Sequence, residues 1–187
     1  MPLFGYDTPM VKTGHVVPSG YFYDLATWQR INFLYSEKTH RELREVKREC
    51  RFPRRMDRLL NLLKAHKGHQ LVMSVEAAKI MLSENAKTIL DLDFVEDQLF
   101  LELSRHDFET SLDRDLKALQ LKIGGAMTSA GIRASDITAL FMTGGSTAIP
   151  CIQECLKSMV PTAKIVKGDV FGSVGIGLTL EANKIFA

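Results

Sequence analysis

The sequence has few of the residues that would assign it to a disulfide-stabilised or strongly charged class of protein. It contains three cysteines and one tryptophan in 187 residues, and its formal net charge is only +2. Cys50, Cys151 and Cys155 are odd in number, and the last two lie one helical turn apart, which predicts reduced, buried thiols and a cytoplasmic location. So small a net charge does not by itself indicate a nucleic-acid or membrane partner.

Long hydrophobic runs are also missing. No stretch approaches the length of a membrane span, and the first residues lack the basic-then-apolar pattern of a signal peptide. The composition is 45% hydrophobic and 25% charged, an ordinary globular balance with enough apolar material for one domain or two small lobes. The sequence therefore predicts a folded protein with no membrane partner.

The first 67 residues divide into three segments of different amino-acid composition. Residues 1–20 contain three prolines and three glycines without sustained periodicity, which predicts an irregular segment. Residues 21–35 are rich in aromatic side chains and predict one helix with Trp28 as a packing anchor. The inner face of that helix would consist of Leu25, Trp28, Ile31 and Tyr35.

Residues 36–67 are basic, with basic side chains outnumbering acidic ones about two to one. A nucleic-acid surface is one interpretation of this region. A solvated helical face is favoured, because acidic residues lie at helical spacings from the basic ones and Phe52 is the only aromatic residue among them. His66 and His69 have no nearby cysteine or carboxylate to complete a metal site, so no metal is predicted.

The middle of the chain alternates helix and hairpin. Residues 70–85 predict a helix in which Glu76, Lys79 and Ser83 share one face, and on spacing alone these are an exposed Glu–Lys pair and a terminal serine. Residues 88–94 and 98–103 predict a β-hairpin from their alternating pattern. Residues 104–130 predict one long helix that is capped by Ser104 with Asp107 and ended by Gly131.

Residues 137–150 form the most informative stretch. The apolar run 137–142 predicts a strand covered on both faces, followed by a turn at Gly144 and Gly145. Ser146 or Thr147 would then cap the next helix, at a helix start suited to a phosphate or ribose hydroxyl. A tight strand-to-helix connection is the simpler interpretation on spacing alone, since the stretch is neither a P-loop nor G-x-G-x-x-G.

The C-terminal segment predicts a short strand at 163–166 and a last helix capped by Gly168-Asp169. That helix contains Gly172, Gly175 and Gly177. Each glycine inside a helix costs about 1 kcal/mol relative to alanine, so the three together predict close packing of the helix against a sheet.

Several of these segments together resemble a known family. Their order resembles that of the second, C-terminal lobe of the DnaK-type heat-shock chaperone nucleotide-binding domain. The segments that carry the resemblance are the helix S-V-E-A-A-K-I-M-L-S, the hairpin, the long helix, D-I-T-A-L-F-M-T-G-G-S-T-A-I-P and G-D-V-F-G-S-V-G-I-G-L. The resemblance covers about residues 73–180 and is closest to YegD-type chaperones, which have a similar Pro- and aromatic-rich insertion at 15–35. It implies the actin-like ATPase superfamily.

The fold implied by the resemblance is α/β, the second lobe of an actin-like (ribonuclease H-like) ATPase domain with an incomplete central sheet and a helix-hairpin-helix subdomain. The predicted organisation is an irregular segment at 1–20, a helical and hairpin subdomain at 21–130, and the C-terminal part of the sheet lobe at 131–187.

The resemblance also implies an adenine-nucleotide site for ATP or ADP. Gly144, Gly145 and Ser146 match the family's adenosine motif, and Glu76, Lys79 and Ser83 match the helix residues that contact ribose and adenine. Asp169 falls near the same pocket. No catalytic residue and no metal ligand match, so Mg²⁺ and the phosphates would be held by parts that this chain lacks.

Two substitutions and several missing motifs depart from the family pattern. The arginines that stack on adenine are replaced by Ile80 and Ala148, which implies weaker or altered nucleotide binding. The phosphate loops, the catalytic lysine and acid, and the peptide-binding domain have no match. We therefore expect a fragment that does not hydrolyse ATP alone.

The expected partners are adenine nucleotide and a co-chaperone or exchange factor, with neither nucleic acid nor membrane. Self-association through an exposed sheet edge is also expected, because neighbouring strands would be missing. The alternative is a non-enzymatic interaction module that uses the basic region or the hairpin, and a nucleic-acid binder is a third, weaker interpretation.

Overall fold

The computed structural model describes residues 1–168 and 173–186 as a mixed α/β chain that divides into two compact units. The first unit comprises Met1–Met81 and Lys87–Leu103, and the second comprises Leu82–Ala86 and Ser104–Ala187. Each unit contains helices and a sheet of two strands, except that β2 ends one residue beyond the first unit. The α/β class predicted from the sequence is confirmed at this level.

The regular elements of the first unit are four helices and one hairpin. The helices are α1 Gly20–Ala26, α2 Glu37–Glu49, α3 Pro53–Lys64 and α4 Gly68–Glu84, of which α4 ends within the second unit. The hairpin strands are β1 Lys87–Asp91 and β2 Phe100–Ser104. Two 3₁₀ helices, Pro2–Phe4 and Ile31–Tyr35, complete the set.

Helix α3 lies at the centre of this unit. Its side chains Met56, Leu59, Leu62 and Leu63 recur at helical spacing and are all 0% exposed. The N-terminal segment also contributes to the same apolar cluster, through Phe4 at the end of the 3₁₀ helix Pro2–Phe4 and through Val17. The segment at 1–20 therefore packs into the core although little of it is helical.

The single helix predicted at 21–35 is wrong, because α1 ends at Ala26. Thr27 is extended (φ −106°, ψ 106°), and its Oγ1 donates to the Tyr23 carbonyl at 2.8 Å. Leu25 and Ile31 are fully buried as predicted. Trp28 is not the predicted anchor, since it is 49% exposed and meets the edge of His69 with ring centroids 4.5 Å apart.

Gly68 begins α4 at a point of close approach. Its N–H donates to the Tyr35 hydroxyl at 3.1 Å. A Cβ at this position would lie 2.6 Å from Ile31 Cγ2 and 2.9 Å from the Tyr35 hydroxyl. The glycine therefore lets α4 start directly against the 3₁₀ helix Ile31–Tyr35.

The predicted hairpin is confirmed. Strands β1 and β2 pair with each other, and the Leu92 N–H donates to the Leu99 carbonyl at 2.9 Å. Leu90, Leu92 and Val95 are buried in the same cluster as α3, and Leu99, Leu101 and Leu103 pack against it. The hairpin thus shares the core of the first unit.

Ion pairs link the loop between β1 and β2 to α3. Glu96 accepts hydrogen bonds from the guanidinium groups of Arg54 and Arg58, which lie one turn apart on α3. These two hydrogen bonds lower the pKa of Glu96 to about 2. The ionised carboxylate therefore links the hairpin loop to the central helix.

The second unit contains α5 Arg105–Ser111, α6 Asp113–Ala130, β3 Ala139–Met142, α7 Pro150–Met159, β4 Lys164–Lys167 and α8 Ser173–Phe186, with 3₁₀ helices at Ala134–Asp136 and Gly145–Ala148. The predicted start and end of the long helix are confirmed: the Asp107 N–H donates to Ser104 Oγ at 3.1 Å, and Gly131 has φ 66°. The helix itself is interrupted at Leu112, so two helices replace the predicted one.

Strands β3 and β4 are parallel, with Ala139 opposite Lys164 and Met142 opposite Lys167. The prediction that this apolar run is covered on both faces is wrong. Met142 is 3% exposed, whereas Phe141 is 72% exposed, so within the described residues only one face of β3 is covered. The strand is also shorter than the run, because it begins at Ala139.

The glycines of α8 do not have the predicted close packing. A Cβ added at Gly175 or Gly177 meets nothing within 4 Å. Gly172 lies outside the described residues. Large apolar side chains of α8 are exposed instead, namely Ile176, Leu178, Leu180, Ile185 and Phe186.

We predict that Glu96→Gln flattens the acid dependence of stability. Because the folded pKa of Glu96 is about 2, below its ordinary value of 4.5, its charge stabilises the fold above pH 4.5. That contribution is lost as the pH falls from 4.5 towards 2. Urea unfolding between pH 6 and 2 should show a smaller loss of unfolding free energy for Glu96→Gln than for the wild type.

The matched control for this experiment is the double variant Arg54→Ala, Arg58→Ala, which removes the donors and keeps the carboxylate. It should flatten the same interval of the pH profile. Parallel profiles for the wild type and both variants would contradict the role given to this ion pair.

Candidate functional site

The turn after β3 is built around Gly144, whose φ of 85° lies in the left-handed region. Its carbonyl accepts two hydrogen bonds from Thr147, one from the N–H at 3.0 Å and one from Oγ1 at 2.7 Å. A Cβ at Gly144 would meet nothing within 4 Å, so the backbone conformation, not crowding, requires glycine there. Open space therefore lies beside this turn.

The second glycine of the pair has a different role. Gly145 is not among the residues with positive φ, so its backbone conformation is one that other residues adopt. Conformation therefore explains the glycine at position 144 and leaves the glycine at position 145 unexplained. Close approach of another group to the main chain, either a ligand or a neighbouring part of the protein, is the other general reason for a glycine.

The predicted capping of the next helix by Ser146 or Thr147 is wrong. Both residues lie in the 3₁₀ turn Gly145–Ala148, and α7 starts only at Pro150, with Ile149 as an N-cap that makes no side-chain bond. Proline suits the first helical position because it has no N–H to be satisfied. The Thr147 hydroxyl is used on Gly144, and Ser146 is exposed.

The thiols of α7 do not suggest catalysis. Cys155 is buried and Cys151 half-buried, and both are free, as is the buried Cys50. Burial raises the pKa of the Cys151 thiol, and the carboxylate of Glu109 adds to the effect. Because a nucleophilic cysteine needs a lowered pKa, Cys151 is not in an activating environment.

Helix α4 carries the second group of predicted residues. Glu76 and Lys79 form an ion pair of 2.6 Å, with side chains 55% and 32% exposed. Glu76 also lines a cavity of about 330 Å³ in the first unit, whose other lining residues are apolar, among them Val72, Val75 and Leu101. A carboxylate beside an apolar cavity can orient a hydroxyl-bearing ligand whose body is apolar.

Ser83 lies one turn after Lys79, near the end of α4, and that end is held by Arg105. The guanidinium of Arg105 donates from Nε to the Leu82 carbonyl at 2.8 Å and from Nη2 to the Ser83 carbonyl at 3.3 Å. A cation at the C-terminus of a helix is stabilised by the helix dipole. Sequence reasoning missed Arg105, because the contact joins residues 22 and 23 positions apart.

The predicted residues fall in both units. Glu76 and Lys79 belong to the first unit, and Ser83, Gly144, Gly145 and Ser146 belong to the second. Ile80 is 52% exposed and Ala148 is exposed, so neither side chain is committed to a core. Asp169 lies outside the described residues.

In 1–168 and 173–186, no three histidine, cysteine, aspartate or glutamate side chains come together as a group that could hold a metal ion. In that part of the chain no helix combines the length and apolar character needed to cross a bilayer.

Comparison with known proteins gives consistent matches. The family model described as Hsp70 protein matches residues 55–180. The chaperone protein dnaK of Trieres chinensis is 31% identical over 122 residues, which cover 60% of this chain and 19% of that protein. The chaperone protein DnaK of Deinococcus proteolyticus is 30% identical over 124 residues, which cover 62% of this chain and 20% of that protein.

A more distant relative is the heat shock protein 70 homolog LHS1 of Candida glabrata, 27% identical over 124 residues, which cover 63% of this chain and 14% of that protein. The chain thus spans about a fifth or less of the length of these relatives. Residues 1–54 lie before the family match.

Proposed function

Because the chain belongs to the Hsp70 family, we propose that it supplies the adenosine-contacting part of a DnaK-like chaperone ATPase. The observation that carries this proposal is the turn at Gly144 and Gly145, which follows a strand, opens to free space and contains one glycine that its backbone conformation does not require. A nucleoside packed against the main chain at Gly145 accounts for that glycine.

The proposed roles differ between the two groups of residues. Gly144, Gly145 and Ser146 contact the nucleoside through the backbone and the exposed serine hydroxyl. Glu76 and Lys79 contact ribose and adenine from α4, where the carboxylate accepts hydrogen bonds from ribose hydroxyls. Ser83 and Asp169 complete the proposed set. Cys151, with its raised pKa, has no part in it.

The groups that act on the nucleotide phosphates would not be among the residues proposed here. ATP, when bound, would supply a transferable phosphoryl group, whose charge Mg²⁺ and phosphate loops would stabilise. The residues proposed here bind the nucleoside end only. We therefore propose that this chain alone does not hydrolyse ATP, and that the activity of the whole protein depends on residues beyond it.

Family membership supports a heat-shock chaperone, and we propose a YegD-type member because of the Pro- and aromatic-rich segment at 15–35. We further propose an actin-like lobe of which this chain is a fragment, an exchange factor or other co-chaperone as partner, and a reducing cytoplasmic setting, the last supported by the three free thiols.

A non-enzymatic interaction surface is the second candidate, and one observation favours it. Arg44 and Arg48 on α2 line a concavity with Cys50 and Pro53, and neither arginine has an acidic partner within the described part of the chain. Lys47, which lines the same concavity, is paired with Asp57. Unpaired arginines suit an acidic protein segment, because guanidinium groups bind carboxylates in a bidentate manner.

The nucleotide proposal is tested by titrating the ¹⁵N-labelled chain with adenosine, ADP and pyrophosphate and following its amide signals. We expect adenosine and ADP to shift the Gly145 and Ser146 signals similarly, and pyrophosphate to have no effect, because only the nucleoside is contacted. Gly145→Val should weaken adenosine binding by at least about tenfold, equivalent to 1.4 kcal/mol, with unchanged circular dichroism. Gly125→Val on α6, where a Cβ meets nothing within 4 Å, is the matched control.

If Gly145→Val binds adenosine as tightly as the wild type, the turn is only structural. A response to pyrophosphate but not to adenosine would replace the nucleoside site with an anion site. No shift at Gly145 or Ser146 with any of the three probes would overturn the proposal.

We also predict that Ala148→Arg strengthens adenosine binding. A guanidinium at the end of the 3₁₀ turn can stack on adenine, and such an interaction is worth about 1 kcal/mol, or about fivefold in Kd. Ala148→Lys has the same charge without the planar group and should gain less. Equal or lower affinity for Ala148→Arg would mean that the cleft is shaped for another ligand.

The second candidate is tested with the double variant Arg44→Glu, Arg48→Glu. An acidic peptide should bind the wild type, with an affinity that falls as salt is raised, and should not bind the variant. The variant Arg41→Glu, Arg114→Glu makes the same charge change elsewhere and should retain binding. Loss of binding in both variants would show a non-specific charge effect, and preference for RNA over the peptide would favour the nucleic-acid interpretation.

A further inference from the structure

An exposed phenylalanine lies where α2 passes into α3, and two arginines are stacked on its ring. The Cζ atom of Arg55 lies 4.7 Å from the centroid of the Phe52 ring, and the Cζ atom of Arg51 lies 5.8 Å from it. Both distances are within the range of a cation–π interaction. Phe52 is 44% exposed, so the ring stabilises two guanidinium groups at the surface and does not fill a core.

The stacking leaves the hydrogen-bonding edges of both guanidinium groups available. A guanidinium contacts an aromatic ring through its flat face, whereas its N–H donors lie in the plane of the group. In the described part of the chain neither Arg51 nor Arg55 has an acidic partner, unlike Arg54, which pairs with Glu96. A stacked side chain has already lost part of its rotamer freedom, so binding a carboxylate costs it less entropy. Phe52 therefore holds the stacked pair, Arg51 and Arg55, ready for an anion.

The stacked pair adjoins the concavity of about 370 Å³ that Arg44 and Arg48 line. Cys50 and Pro53 line the same concavity, and residues 51 and 52 lie between them in the chain. Arg44 and Arg48, here called the α2 pair, are one helical turn apart on α2 and exposed. Two pairs of arginines therefore lie on neighbouring parts of one surface.

Most of this surface precedes the part of the chain that the family model matches. The match begins at residue 55, so three of the four arginines and Phe52 lie before it. The α2 pair and the stacked pair are thus a feature of this chain that membership of the Hsp70 family does not account for.

We propose that the α2 pair and the stacked pair together bind one acidic segment of a partner protein, each pair binding a separate group of carboxylates. The proposal rests on the acidic-segment candidate given above for Arg44 and Arg48. It adds Arg51 and Arg55 as contacts and Phe52 as the residue that positions them. Because guanidinium groups bind carboxylates in a bidentate manner, two pairs of arginines match a segment with two short acidic runs.

The same contacts favour a protein segment over a nucleic acid. A base binds an aromatic side chain by stacking on its face, and the Phe52 ring is already in contact with two guanidinium groups. Glu45 and Glu49 also lie among the basic residues of α2. A nucleic acid carries a phosphate at every nucleotide and would place charge beside these carboxylates, whereas a protein segment carries charge only where its acidic residues lie.

The proposal is tested by fluorescence anisotropy with two labelled peptides in a Gly-Ser background. One peptide carries a single Asp-Asp pair, and the other carries two such pairs separated by a Gly-Ser spacer. The wild type should bind the two-pair peptide at least about tenfold more tightly, because binding of the second pair is intramolecular. The difference between the two peptides is the readout for the stacked pair.

The double variant Arg51→Gln, Arg55→Gln should bind the two-pair peptide no more tightly than the single-pair peptide. Its matched control, Arg41→Gln, Arg114→Gln, removes the same charge elsewhere and should keep the preference for two pairs. Phe52→Leu keeps an apolar side chain without an aromatic face and should weaken two-pair binding about threefold. Phe33→Leu changes another exposed phenylalanine and should have no effect.

The possible failures can be told apart. If Arg51→Gln, Arg55→Gln keeps the preference for two pairs while Arg44→Glu, Arg48→Glu abolishes binding, the acidic-segment candidate stands and the role of the stacked pair is overturned. A wild type that binds neither peptide would overturn both. Tighter binding of polyuridine RNA than of the two-pair peptide would replace the proposal with a nucleic-acid surface. Binding to this chain but not to the longer protein proposed to contain it would also overturn the proposal, because another part of that protein would then occupy the surface.

Discussion

Burial of one face of α3 is the constraint on which the first unit depends. Met56, Leu59, Leu62 and Leu63 are fully buried, and each such side chain contributes about 1.5–3 kcal/mol relative to an exposed one. The cluster around them includes Phe4, which precedes the family match, and Leu92, which lies inside it. The part of the chain outside the match therefore folds as one body with the start of the family sequence.

The described part of the second unit contains no helix with a comparable fully buried face. Its described helices α5 and α6 contain no fully buried residue, and the stripe Leu112, Leu116, Leu119, Ile123 and Met127 is only half-buried. The helices are well formed locally, since capping and hydrogen bonds within each helix do not require a core. Among the described residues, no apolar surface covers the Phe141 face of β3 or the exposed side chains of α8.

Local signals in the sequence predicted local structure well. The alternating pattern of the hairpin, Ser104 with Asp107, and Gly131 act within a few residues, and all three are confirmed. The failures required information from further away. Helical spacing predicts Trp28 in a core, but α1 ends before it, at Ala26. The apolar sequence of β3 predicts that both of its faces are covered. An apolar strand does not reveal which other segment would cover it.

In the candidate site, too, motif spacing predicts one part and only the structure provides the other. Motif spacing identified the paired glycines, but only the backbone geometry distinguishes their roles. The turn requires glycine at position 144, where φ is 85°, and does not require it at position 145. A conformational requirement explains a glycine whether or not a ligand binds, so Gly144 gives no information on function. The turn conformation does not require glycine at position 145, so the reason for that residue has to lie in what comes close to its main chain. A nucleoside is the neighbour that we propose for Gly145.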